Sequence, residues 1–145
     1  MAFELYRWTF PAIAASAIGA GQAVLLTASA LERQVIPVGS SNQEPFGVSL
    51  ATANYLAATP PFSAAVAVVD RGNTIKVTAG ASLGVGADVV VGTTTATTTF
   101  GYYMPASAQA SGFVAWRVGK AVSAAAAGEV FGLYVDPKVI SGNLP

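Results

Sequence analysis

The sequence predicts a mainly β protein: a compact sandwich or barrel of short strands with one or two short helical turns, an internally duplicated β unit and an extended N-terminal arm. Three observations predict it. Short runs of β-branched and aromatic residues recur between turns rich in Gly, Asp, Asn and Pro. The stretches rich in alanine supply a helical turn each and no more, because a nucleus of one turn is unfavourable alone. A weak repeat relates residues 17–26 (AIGAGQAVLL) to 82–91 (SLGVGADVVV), and a second piece downstream in each half relates 45–53 (PFGVSLATA) to 117–125 (RVGKAVSAA). The 145 residues are most simply one domain, long enough to bury a core without staples.

Residues 3–10 (FELYRWTF) alternate with the strand period. Tyr6, Trp8 and Phe10 share one face with Glu4, and Phe3, Leu5, Arg7 and Thr9 share the other. Apolar groups on both faces leave two roles open: closing the protein's own sheet, or adding as an arm to the sheet edge of a neighbouring subunit. Pro11 is expected to end this run. Residues 8–31 carry no charge and imitate a secretory layout behind Arg7, but Pro11, Ser16, Gly19, Gly21, Gln22 and Thr27 interrupt them, and the segment reads as part of the folded chain.

The Gly-x-Gly of each repeat introduces an apolar strand. Residues 64–69 (AAVAVV) read as a buried strand ended by the turn formers Asp70, Arg71, Gly72 and Asn73, and 74–79 (TIKVTA) alternate cleanly. Residues 89–91, the Thr-rich 93–99, 112–118 and 130–135 continue the pattern. Tyr102, Tyr103 and Met104, ahead of Pro105, form a bulky apolar end suited to core closure or to an intersubunit contact. Residues 12–20, 50–58 and 123–127 are the places for helical turns. The stretch 118–135 (VGKAVSAAAAGEVFGLYV) reads as strand, small-residue turn, strand, since four alanines are too few to nucleate a helix and Gly128 stops it. Asp136-Pro137 is expected to close the last strand, which divides the chain into an arm (1–16), a β domain (17–136) and a tail (137–145).

Several function classes are disfavoured by composition. The absence of Cys removes disulfides and thiolate metal sites, and the absence of His removes the commonest general base and zinc ligand. The carboxylates Glu4, Glu32, Glu44, Asp70, Asp88, Glu129 and Asp136 are scattered and read as solvated turn charges; no catalytic, cofactor or metal site is expected. Neither Gly-x-Gly makes a dinucleotide fingerprint, because Val24 and Val89 stand where the third glycine belongs; both read as turns that supply positive φ. Zero net charge leaves no footprint for nucleic acid, and no membrane partner is expected. Charged residues are 10% of the chain, against about a quarter in an ordinary globular domain. So sparse a charge suits a subunit that hides much of its surface against neighbours.

The small-aliphatic-Gly-x-Gly turn before residues 23–26, the PFGVSLATA piece, the block 75–91 (IKVTAGASLGVGADVVV) and the ending VGKAVSAAAAGEVFGLYV together make the sequence similar to the phage head decoration proteins, also called capsid cement proteins. Val118, Gly119, Ala121, Ala124, Gly128 and Glu129 occupy that family's recurrent ending. The resemblance covers roughly residues 17–135; the aromatic arm and 54–62 (NYLAATPPF) depart from it. It implies a compact β-rich subunit, commonly a homotrimer, on the outer surface of the capsid in the virion, where it clamps neighbouring major capsid subunits against internal DNA pressure. Phe3, Leu5, Tyr6, Trp8, Phe10, Tyr102 and Tyr103 are the candidate capsid or intersubunit contacts. Deletion of residues 1–11 is expected to abolish or greatly weaken binding to expanded heads and leave the core folded. The alternative is a secreted or cell-surface adhesive β subunit.

Overall fold

The computed structural model describes residues 9–27, 33–51, 65–92, 103–106 and 114–141. The first unit contains β1 (Phe10–Ala14), β2 (Ala23–Leu26), β3 (Gln34–Pro37), β4 (Gly47–Ser49) and β5 (Ala65–Val69). The second contains β6 (Thr74–Thr78), β7 (Asp88–Val91), β8 (Tyr103–Pro105), β9 (Val114–Ala121) and β10 (Val130–Ser141). The first unit closes into a barrel in the order β1-β3-β2-β4-β5. The second is a sheet in the order β6-β10-β9-β7-β8, and a parallel bridge from Ala79 to Tyr103 brings β8 back beside the end of β6.

The duplication expected from the repeat is realised pairing by pairing. In the first unit β1 runs parallel to β3, while β3-β2, β2-β4, β4-β5 and β5-β1 are antiparallel. In the second, β6 meets β8 in parallel, while β8-β7, β7-β9, β9-β10 and β10-β6 are antiparallel. The turns repeat as well. Gly21 N–H donates to Ser49 O at 2.8 Å, and its counterpart Gly86 N–H donates to Ala121 O at 2.7 Å. The second glycine of each motif has positive φ, +77° at Gly21 and +80° at Gly86, which is the left-handed conformation an L side chain resists.

The core shows the same correspondence. Ala12, Ala14, Ile18, Val24, Val35 and Val68 fill the first barrel. Their counterparts Val77, Ala79, Leu83, Val89, Tyr103 and Leu133 all belong to the core of the second unit. That second core also takes in Ala23, Val38, Val48 and Val69 from the first unit, so the two halves share a core and are not separable domains. Each fully buried Val, Leu or Phe in it contributes about 1.5–3 kcal/mol.

Of the two roles open to Tyr103, the structure shows core closure. The residue is 1% exposed, its ring meets Phe131 edge-on at 6.2 Å, and its hydroxyl donates to Gly21 O across the units at 2.7 Å. Burial pushes its pKa well up, against a smaller lowering from the Ala23 backbone. Tyr103→Phe should therefore strand the Gly21 carbonyl and cost about 1–2 kcal/mol, read as a lower denaturant midpoint with an unchanged slope.

Several boundaries differ from expectation. Pro11 does not end a strand but lies within β1, opposite Ala67. The amides of Ile13 and Ala15 point to β3, so the donor missing at Pro11 faces the same side, where described pairing with β3 starts only at Ile13. Residues 10–14 thus belong to the barrel rather than to an arm reaching residue 16, and deletion of residues 1–11 would cut into β1. Asp136-Pro137 does not close the last strand either. β10 runs on to Ser141 through a register shift between Val135 and Lys138, where a proline is tolerated. No helical turn forms at 12–20 or 123–127. Strand pairing takes the first, and Ala125 exchanges both backbone hydrogen bonds with Leu83 in the second. The strand–turn–strand reading of 118–135 holds: β9 ends at Ala121, Gly128 turns with φ +86°, and β10 begins at Val130.

Candidate interaction surface

The candidate contact residues separate into three groups. Phe3, Leu5, Tyr6, Trp8 and Tyr102 lie outside the described residues, as does the Thr-rich 93–99. Tyr103 is in the core. Phe10 opens β1, and its ring meets that of Phe46 edge-on, with centroids 4.9 Å apart.

A seam on the second unit, joined by Arg71 of the turn between the units, gathers five of the eleven described charged residues. Arg117 of β9 is buried and donates from Nη1 to Asp88 Oδ1 at 2.7 Å, from Nη2 to Asp136 Oδ2 at 2.5 Å and from Nε to Asp136 O at 3.2 Å. Asp136 also meets Arg71 Nε at 3.4 Å, and Asp88 meets Lys120 Nζ at 3.8 Å. A chain of five alternating charges results, with the guanidinium of Arg117 at its centre. Forked, charge-assisted bonds of this kind fix geometry as well as supply energy. Asp88 and Asp136 are therefore not the solvated turn charges expected of scattered carboxylates but the two partners of Arg117. β7, β9 and β10 bring them together. A signal was present in the repeat, where Arg117 replaces the buried Pro45 and Asp88 replaces the buried Ala23.

Beside this seam lies an open cleft of about 570 Å³. Leu25, Leu26, Pro45, Phe46 and Pro137 give it an apolar lining, and Gln43, Glu44, Asp70 and Arg71 a polar one. Arg71 is held there by donating from Nη2 to Pro137 O at 2.6 Å. The units are tied on the same side by Trp116 N–H donating to Ser41 O at 2.6 Å. Elsewhere the surface exposes Val85 at the second Gly-x-Gly turn and Val122, Val130 and Tyr134 around the second sheet.

No group of three or more His, Cys, Asp or Glu among the described residues is placed to hold a metal ion. No helix among them is long and apolar enough to cross a membrane. Nothing in the seam resembles an activated nucleophile; its carboxylates are committed to cations. The arrangement can lock strands and present a cleft and apolar side chains to another chain.

No protein-family model matches the chain, and no curated protein does. Among solved structures, the chain is similar in fold to the N base of the head fiber gp8.5 of bacteriophage phi29, with a TM-score of 0.58 and 17% sequence identity over 88% of this chain and 92% of that one.

Proposed function

We propose that this chain is a non-enzymatic structural protein of a phage virion, which decorates the outer surface of the expanded capsid by binding across neighbouring major capsid subunits, as a homotrimer. The observation that carries the reading is the fold shared with a phage head-fiber base over most of both chains. The resemblance of residues 17–135 to capsid decoration proteins points the same way, and sparse charge suits a subunit with large permanent interfaces. The mechanism is linkage. A protein that binds only the assembled, expanded lattice stabilises that state by mass action, and several contacts per trimer add avidity. The aromatic arm is the segment proposed to add to a capsid sheet edge.

The test is binding of purified protein to expanded heads that lack it, followed by sedimentation and electron microscopy. The full chain should occupy regular outer sites; no occupancy at any concentration would overturn the capsid reading. Because β1 begins at Phe10, the informative truncation removes residues 1–8 only. This variant should keep the melting temperature of the full chain yet bind heads at least about tenfold more weakly, a loss of about 1.4 kcal/mol. Undiminished occupancy would take the arm out of the contact while leaving decoration in place.

A further inference from the structure

We propose that the outer face of β6, β10 and β9 is the surface on which a second copy of this chain docks, a contact that rests on the self-association in the reading above and gives it a place.

Three observations carry it. The first is an internal precedent. In the first unit Ala23, Val48 and Val69 stand side by side across β2, β4 and β5, each fully buried in the core shared with the second unit. The same register in the second unit, across β7, β9 and β10, holds Asp88, Lys120 and Tyr134. The face that joins one β unit to another within the chain is thus present a second time, and there it is open: Tyr134 is 38% exposed and the Lys120 side chain 48%. Leu50 and Val122 repeat the contrast. Leu50 packs against the shared core, whereas Val122, its counterpart, is exposed. A second copy is the occupant this precedent names, because the first occurrence of the face already holds a β unit of the same fold.

The second is apolar content. Four of the six large apolar side chains exposed among the described residues, Val85, Val122, Val130 and Tyr134, lie on or beside this face. Strand alternation sets Val130 and Tyr134 on the same side of β10 with Gly132 between them. Val122 is placed beside that glycine by donating its N–H to Gly132 O at 2.9 Å, and Val85 precedes Gly86, whose N–H reaches Ala121 O next to Val122. A tyrosine and three valines gathered about a glycine have the make-up of an interface core rather than of a solvated sheet.

The third is the placing of charge. The central strand of the face, β10, presents only neutral residues there, while Lys76 stands on β6 opposite Gly132 and the Lys120–Asp88 pair, 3.8 Å apart, stands on β9 and β7. Glu129, ahead of Val130, is turned back to accept from the Ala126 N–H at 2.8 Å. Two copies of one face bring the same charges together, so they fit only where those charges lie at the rim and neutral residues at the axis. This face has that layout, and its polar rim suits a partner met after folding.

The test is molecular mass by sedimentation equilibrium over a range of concentrations, with head binding measured on the same samples. The full chain should have a mass above that of a single subunit. Tyr134→Lys and Val130→Glu should each weaken the association at least about tenfold, as the loss of a central interface residue does. Val139→Asp, at a comparably exposed position on the far half of β10, should leave the mass unchanged. Circular dichroism spectra and cooperative melts show that each variant folds. A full chain that is monomeric at every concentration would overturn the self-association face, and its occupancy of heads would be read independently, so that decoration and this contact fail separately. An oligomer indifferent to both substitutions would overturn it as well. So would a monomer whose head binding alone responds to them, since a capsid subunit would then be the occupant. A dimer that the substitutions dissociate would keep the face and overturn only the trimer.

Discussion

Gly119→Ala should lower stability by about 3 kcal/mol, the upper end of what overpacking a close contact costs, and lower the melting temperature by ~6–12 °C. Gly119 stands opposite Val135 in the β9-β10 ladder, where the two backbones run unusually close. A Cβ there would fall well inside the carbonyl oxygen of Tyr134, 2.8 Å from its carbonyl carbon and 3.1 Å from the Asp136 amide. All three are backbone atoms of the longest strand, so no rotamer change relieves the clash; β10 would have to move away, and its pairing with β6 with it. Gly47, the counterpart in the first unit, meets the Val69 carbonyl oxygen and the Val68 side chain in the same way, and Gly47→Ala should be damaging for the same reason. Gly84→Ala is the control. Nothing lies within 4 Å of its added Cβ and its φ is not positive, so stability should be unchanged or slightly raised. Thermal and urea melts of the three variants check the set; a Gly119→Ala protein as stable as Gly84→Ala would refute the close approach.

The second large effect concerns Arg117. Arg117→Met removes the cation between Asp88 and Asp136 and leaves two carboxylates facing one another through a buried position. Breaking a buried pair from one side typically costs 3–5 kcal/mol, and the partial exposure of both aspartates sets the expectation at the low end, about 3 kcal/mol. Arg117→Lys should fall between wild type and Met, because an ammonium keeps the charge but cannot span both carboxylates and the Asp136 carbonyl with one planar fork. Adding Asp88→Asn and Asp136→Asn to Arg117→Met should restore part of the loss, since most of the penalty is the stranded charge rather than a missing attraction. The measurement is urea unfolding across this series. An Arg117→Met protein with wild-type stability would show the network to be dispensable.

Some features were legible in the sequence because they are local. Alternation in TIKVT gave β6, with Ile75 and Val77 buried and Lys76 and Thr78 exposed. Gly-x-Gly before an apolar run gave the turns at Gly21 and Gly86, and Asp70 to Asn73 gave the turn between the units, closed by Asn73 Nδ2 donating to Asp70 O at 3.1 Å. The repeat gave the two units, because fold duplication leaves its spacing of glycines and aliphatics in the chain. β3 was not anticipated. Its QVIP is short and ends in proline, and it is a strand because β1 and β2 flank it.

The sequence by itself determined the β class and the duplication, since strand period and turn residues are properties of neighbouring residues. Tertiary structure alone decided which glycines tolerate no Cβ, that Asp88 and Asp136 converge on Arg117, and that Tyr103 closes the core rather than facing outward. Each of these depends on which strands become neighbours. Strand order in a barrel follows from summed burial and ladder closure over residues far apart in the chain, and no local pattern encodes that sum.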